Sequence, residues 1–451
     1  MMRAAFHTLG CKTNSYETQA IKEQFEQAGF EVAEFSERAD VYVINTCSVT
    51  AVAAQKSRQM LHRAKKMNPE ALVVACGCYA QEAADKLTES GVDLVIGNNE
   101  KSKILELVRD YLENQLRAAE SVFLQDLTHC TDYEEQTITN AGDHVRAYVK
   151  IQDGCNRFCS YCIIPYLRGR SRSRKIDEIL SEVRTLAGKG IREIVLTGID
   201  ISDFKQTGEE LPEHGKTAPG KTAPDHLAEL IFEIEKVEGI ARIRLGSLEA
   251  GIITDAFLKQ IKNSKKLCPH FHLSLQSGCD ATLKRMNRDY TAAEFTKSLK
   301  MIRSCFAHPA ITTDVIAGFA GETEEEFEET KRFVKEAAFS EMHVFPYSRR
   351  KGTRADKMPG QLTKAEKAKR AGELIAIGKE MQLAFMEQFI GQEICILTEE
   401  AVSIEGKEYL LGFTPEYVKA AVAKEQAEVN KIVTLSPKRI IEFHNEPLLT
   451  V

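Results

Sequence analysis

Through the first hundred residues, short apolar runs alternate with longer stretches in which apolar residues recur every third or fourth position. AAFHTLG, ADVYVINTC, ALVVACGC and VDLVIG read as strands. Ser15 to Ala28 reads as a helix, with Ile21, Phe25 and Ala28 on one face and Gly29 placed to stop it. Such alternation predicts a parallel sheet covered by helices. After a polar connector at roughly 116–144 the alternation returns: VRAYVKI, IREIVLTG, ARIRLGS, HFHLSLQS, ITTDVIAGF and EMHVFPYS are separated by helical segments. Six such units predict a partial (βα)6 barrel, whose active site belongs at the carboxyl ends of the strands. Beyond a helix expected from about Thr363 to Phe389, the segments EICILTEEA, EYLLGFT, YVKAAVA, NKIVTLSP and RIIEFHNE read as strands of a small β-barrel. The expected fold class is α/β with a C-terminal β-barrel, in three domains at 1–120, 141–375 and 385–451.

Composition narrows the function classes. A chain of 451 residues with a 43% hydrophobic fraction supports several cores. No apolar run is long enough to span a membrane, and MMRAAFHTLGCKTN has no apolar signal core, so the expected location is the cytoplasm, with no membrane partner. There, twelve cysteines read as free thiols or metal ligands rather than disulfides. A net charge of −6 argues against a globally basic nucleic-acid coat, leaving local patches. Residues 391–451 hold six Lys or Arg against ten Glu, a formal charge of −4, so RNA contact there needs a local face of Lys407, Lys431, Lys438 and Arg439 with Phe413 and Tyr417 as stacking rings; a purely structural cap is the competing reading. QTGEELPEHGKTAPGKTAP, with its tandem GKTAP, reads as a surface insertion in the barrel.

Cysteine spacing carries the chemistry. GCNRFCSYC, after the first barrel strand, presents Cys155, Cys159 and Cys162 spaced x3 then x2. Three thiolates without an obvious fourth suit a [4Fe–4S] cluster with one iron open to a substrate. Zinc needs a fourth ligand, and Cys130 and His144 lack finger-like spacing to the trio. In the N-terminal domain Cys11, Cys47, Cys76 and Cys78 stand at strand ends, where open α/β sheets hold ligands. Any one alone reads equally well as a small buried hydrophobe, but three strand ends in one domain suggest a second three-cysteine site. Cys76 and Cys78 stand two residues apart at one strand end, and only one of them is expected at that site.

The central spacing matches the signature of the radical S-adenosylmethionine (SAM) enzymes, and LGCKTN, NTCSVT, GCYAQ, GCNRFCSYCIIP, HLSLQSGCDATLKRMNRDYT, TDVIAGFAGETEEEF and VFPYSRRKGTRA extend the likeness. The chain resembles the radical SAM methylthiotransferases, which join a three-cysteine domain, a radical SAM partial barrel and a C-terminal TRAM domain. The resemblance implies two [4Fe–4S] clusters, a SAM-binding one at Cys155, Cys159 and Cys162 and an auxiliary one at Cys11, Cys47 and Cys78, with Cys76 outside the motif. GCKTN, with NTCSVT and AAQKSRQ, is most similar to the tRNA N6-threonylcarbamoyladenosine (t6A) members; isopentenyladenosine members tend to GCQMN and ribosomal-protein aspartate members to GCPKN. The implied reaction places a methylthio group at C2 of an adenine beside the anticodon. One SAM methylates sulfur on the auxiliary cluster, and a second is cleaved reductively to start C2–H replacement. The implied partners are a tRNA anticodon stem-loop, an electron donor such as flavodoxin or ferredoxin, and a sulfur donor. Isopentenyladenosine or a protein aspartate is the alternative substrate, and a metal-stabilised RNA-binding protein the non-enzymatic alternative.

Strand-end turns nominate Thr197, Gly198, Ser247, Glu249, Gln276 and Gly318 as SAM contacts, although any such turn favours small polar residues. RGRSRSRK, Arg168 to Lys175, sets five positive charges beside the cluster loop; Arg168 and Arg174 are expected to meet phosphates or the SAM carboxylate. Asp314 stands out as an acid inside an apolar strand.

Overall fold

Apolar alternation in the first hundred residues produces a six-stranded parallel sheet in the order β2-β1-β3-β4-β5-β6. Its strands are β1 (Arg3–Thr8), β2 (Glu31–Ala33), β3 (Val41–Thr46), β4 (Leu72–Gly77), β5 (Leu94–Ile96) and β6 (Val122–Phe123). The computed structural model describes residues 1–113, 121–142, 144–205 and 226–451. Helices cover both faces, so β3 and β4 are buried throughout. Val41 and Val43 pack with Ile21 and Phe25 of helix α1 (Lys12–Gln27), while Tyr42 and Ile44 pack with Ala54 and Leu61 of helix α2 (Ala51–Met67). Helix α1 starts directly after Cys11 with no side-chain cap, three residues earlier than its apolar periodicity indicates.

The second alternation forms the expected six barrel strands, Arg146–Lys150, Glu193–Thr197, Arg242–Leu245, His270–Gln276, Ala310–Ala317 and Glu341–Pro346, parallel and adjacent in chain order. Ser247–Leu248 carries the third strand onto the fourth. Along the fourth strand Phe271, Leu273 and Leu275 are buried against the helical layer, and His272, Ser274 and Gln276 alternate with them, half-buried on the inner face. The barrel interior is therefore polar. The connector is strapped in place: the Tyr16 hydroxyl donates to the Gln136 carbonyl at 2.5 Å, Thr139 N–H donates to Glu23 at 2.7 Å, and the Tyr133 hydroxyl donates to the Lys150 carbonyl at 3.1 Å. The tandem GKTAP insertion lies outside the described residues.

Helix Lys364–Glu387 opens with a capping box between Thr363 and Glu366 and leads into a six-stranded, largely antiparallel C-terminal sheet. Its turn after Phe413 closes the amino end of the barrel. Arg242 donates to the carbonyls of Phe413 (2.6 Å) and Cys395 (3.0 Å), and Arg244 to those of Pro415 (2.8 Å) and Thr414 (3.2 Å). Tyr417 stacks on His270 (centroids 5.1 Å) and on Phe413 (4.7 Å), with Arg146 over Phe413 and Arg244 over Tyr417. This corrects the expectation that Phe413 and Tyr417 stack on RNA: barrel arginines and His270 already cover their faces. Lys407, Lys431, Lys438 and Arg439 remain exposed.

Candidate active site

Two cysteine triads meet between the N-terminal sheet and the barrel. Cys11 follows β1, Cys47 follows β3, and Cys78 opens the short helix after β4. Gly10 has φ +105°, and a Cβ there would stand 2.9 Å from the Cys47 Sγ, so only glycine permits the two loops to approach this closely. Ser57 Oγ accepts from Cys47 N–H at 3.0 Å and donates back to the Cys47 carbonyl at 2.9 Å, fixing that loop. Asn98 Nδ2 lies 3.7 Å from the Cys78 Sγ and donates to the Leu167 carbonyl at 2.9 Å, tying the cysteine to the barrel. Burial, with smaller contributions from Cys78 and Cys11, pushes the Cys47 thiol up to about 11. Cys76 is fully buried in the sheet core, which pushes its thiol to about 12.

The second triad occupies the loop after the first barrel strand. Gly154 (φ +72°) brings this loop against the Arg170 carbonyl, where a Cβ would fall at 1.9 Å. Backbone N–H of Arg157 points at the Cys155 Sγ (3.5 Å) and Arg288 Nη1 at the Cys159 Sγ (3.2 Å). Burial first, then Cys159 and to a lesser extent Cys78, drive the Cys162 thiol to about 12. The triads face one another through one apolar cluster containing Cys78, Cys162, Ile163, Ile164 and Leu167.

Among the described residues no three His, Cys, Asp or Glu side chains converge closely enough for a single metal ion. A cluster needs less convergence, because each thiolate meets a different iron. The Cys47 and Cys162 thiols, raised by burial and by neighbouring cysteines, are poor free thiolates and good partners for a cationic centre, which suits the two triads to iron–sulfur clusters.

The nominated SAM contacts separate into groups. Glu249 is buried, salt-bridged by Arg288 and 3.7 Å from Arg157, one side chain away from Cys159. Thr197 is buried, Ser247 is exposed at a strand end, and Gln276 adopts φ +68° at a register shift between the fourth and fifth strands. Gly198 packs against Gln152, whose Oε1 accepts from Ile199 and Asp200 N–H at 2.9 Å. Gly318 packs against Lys367 and donates to Glu322 at 2.9 Å.

The basic string is corrected. Arg168, Arg172 and Arg174 are buried, leaving only Arg170 and Lys175 exposed. Arg168 binds Glu17 (2.9 and 3.1 Å), Asp153 (2.9 and 3.0 Å) and Asn14 (2.7 Å), which makes it a brace between α1 and the barrel instead of a SAM contact. Arg174 is salt-bridged to Glu182 and binds Glu135 at 3.1 Å. Sequence reasoning missed Arg157, which binds Asp200 (2.7 Å) and Asp289 (3.1 Å), and Arg288; an arginine inside the cluster loop and RMNRDY were the available signals.

Two family models match parts of the chain. One described as an uncharacterized protein family, UPF0004, matches residues 3–97, and one for the radical SAM superfamily matches residues 149–334. The chain is 40% identical to the threonylcarbamoyladenosine tRNA methylthiotransferase MtaB of Bacillus subtilis, covering 96% of this chain and 93% of that one. The chain belongs to the radical SAM methylthiotransferase family. The MtaB of Aquifex aeolicus is 38% identical (91% of this chain, 96% of the relative), and a tRNA-2-methylthio-N(6)-dimethylallyladenosine synthase of Pelotomaculum thermopropionicum is 33% identical (86% and 85%). The fold is similar to that of the radical SAM methyltransferase TsrM of Kitasatospora setae, with TM-score 0.55, 13% identity and coverage of 78% of this chain and 76% of that one. Membership in this methylthiotransferase family makes the chain a transferase whose cofactors are SAM and [4Fe–4S] clusters. No helix of the described residues is long and apolar enough to cross a membrane.

Proposed function

We propose that the chain converts N6-threonylcarbamoyladenosine beside a tRNA anticodon into its 2-methylthio derivative, with Cys155, Cys159 and Cys162 holding the SAM-binding cluster and Cys11, Cys47 and Cys78 the auxiliary one. The observation that carries this reading is the juxtaposition of the two triads across the Cys78–Cys162 cluster. An aromatic C–H offers no acidic proton or leaving group; when bound, SAM and the clusters supply the radical and the sulfur that its replacement requires.

The chain's own residues set position and exclude water. Arg168, Glu17 and Asp153 lock α1, and with it Cys11, against the barrel. Arg288 fixes Glu249 and reaches Cys159 while also donating to the Ser274 carbonyl at 3.2 Å, so the cluster loop and the fourth strand move as one unit. Arg157 joins the loop to Asp200 in the turn after the second strand. Burial followed by Asp200 holds the Cys155 thiol well above its ordinary value, which keeps it protonated until iron displaces the proton. A flavodoxin or ferredoxin as reductant, a separate sulfur donor and a cytoplasmic location complete the proposal. Its test is anaerobic reconstitution with SAM, reductant and a t6A anticodon stem-loop, followed by nucleoside mass spectrometry. A 2-methylthio-t6A product is expected; conversion of an isopentenyladenosine stem-loop with none of the t6A substrate overturns the assignment.

A further inference from the structure

The barrel is open on the side where its first and sixth strands do not pair, and a cleft of about 770 Å³ runs inward there between helix Lys364–Glu387 and the C-terminal sheet. Five glutamates and three lysines line it, so its rim repels a phosphodiester backbone. Its wall changes character inward, where Thr312, His343 and Tyr417 meet Lys12. His272 Nδ1 lies 2.9 Å from Thr312 Oγ1, and His272 Nε2 lies 3.2 Å from Asp314 Oδ2, extending this polar wall.

Lys12 differs from the two arginines nearest its charge. Desolvation in the cleft acts first on its charge and lowers its pKa, followed by Tyr417, Arg244, Arg146 and Asp314. Arg244 is paired with Glu193 at 2.7 Å and Arg146 with Glu399, while Asp314 is in hydrogen-bond contact with His272. Lys12 makes no ion pair or side-chain hydrogen bond among the described residues, although it stands on the cleft wall one residue from Cys11. An exposed ammonium on the inner cleft wall, with two paired arginines nearby and Asp314 already engaged, is a site for a small carboxylate.

We infer that this cleft receives the threonylcarbamoyl arm of the substrate adenine, with the Lys12 ammonium binding its carboxylate and the His343–Thr312 wall facing its hydroxyl. The inference rests on the t6A reading and adds the group that distinguishes this arm from an apolar one. Because Lys12 follows Cys11 on the chain, it fixes the arm beside the auxiliary triad, which is where C2 must be delivered.

The test uses reconstituted holoenzyme with SAM, no reductant, and two anticodon stem-loops, one carrying t6A and the other its threonine carboxamide, a neutral analogue. Wild type should bind the acid about ten- to a hundredfold tighter than the amide, the range for a charge-assisted bond. Lys12→Gln should close the gap by losing affinity for the acid alone, and Lys12→Arg should keep most of it, with iron content measured for each. An undiminished gap in Lys12→Gln at full iron content overturns the inference. Failure of wild type to convert t6A RNA while converting isopentenyladenosine RNA instead overturns the functional reading beneath it.

Discussion

Replacing Glu17 by Gln tests the brace that holds the N-terminal domain on the barrel. The Glu17 carboxylate receives Lys101, Lys150 at 2.8 Å and both terminal nitrogens of Arg168 at 2.9 and 3.1 Å, and none of these side chains is more than 2% exposed. After substitution Lys150 and Arg168 keep Asp153, at 2.7 and 2.9 Å. Lys101 loses its only ion pair among the described residues. An ammonium left buried and unpaired costs about 3–5 kcal/mol, and because the carboxamide oxygen still accepts one hydrogen bond, the lower end of that range is expected. The measurement is the urea midpoint of the transition reporting α1, read together with hydrogen exchange of its amides. Glu17→Gln combined with Lys101→Met removes both the missing charge and its stranded partner, and should recover stability to within about 1 kcal/mol of wild type. Burial pushes the Glu17 carboxyl up, but Arg168, Lys101 and Lys150 outweigh it and hold the group well below the ordinary carboxylate value. Its stabilisation is therefore complete above that ordinary value and is lost as pH falls towards the depressed one, so wild type and Glu17→Gln should converge in acid. A Glu17→Gln protein within about 0.5 kcal/mol of wild type at neutral pH, or a double variant no better than the single, refutes the reasoning.

Three further outcomes follow from the site and the barrel closure. Cys78→Ala should bind about half the iron of wild type on anaerobic reconstitution, while Cys76→Ala should keep nearly all of it, and equal losses would place both cysteines at the auxiliary site. Cys155→Ala should abolish reductive SAM cleavage and leave the other cluster's electron paramagnetic resonance signal; persistent 5'-deoxyadenosine formation contradicts the assignment. Tyr417→Ala should destabilise the contact between the C-terminal sheet and the barrel by about 1–3 kcal/mol, because a half-buried ring stacked on His270 and beneath Arg244 is removed; calorimetry should then show the C-terminal sheet melting earlier.

The strands of both alternating regions were legible because long periodic segments report burial directly. Edge strands β2 and β6 were not, since three and two residues carry no periodicity. Helix α1 begins at Lys12 because the chain turns at Gly10 and Cys11, a backbone feature that apolar spacing does not encode. Cys76 lies in the sheet core, while Cys78, past the turn at Gly77 (φ +89°), opens the next helix and packs towards Cys162, a separation made by the glycine turn and not by strand alternation. Arg168 was misread because a run of charge gives no side-chain direction, and its partners Asn14 and Glu17 lie more than 150 residues away. Phe413 and Tyr417 were misread for the same reason: the turn they flank docks on arginines of the barrel's first and third strands. Arg157 and Arg288 stand in motifs legible in the sequence, the cluster loop and RMNRDY, but their partners Asp200 and Glu249 lie on other turns.

The most direct test of the account is nucleoside mass spectrometry on total tRNA from cells with and without this gene. Selective loss of 2-methylthio-N6-threonylcarbamoyladenosine, with its unmethylthiolated precursor accumulating, is the predicted result. An unchanged level of that nucleoside, with the isopentenyl analogue lost instead, or no change in any tRNA nucleoside, would contradict it.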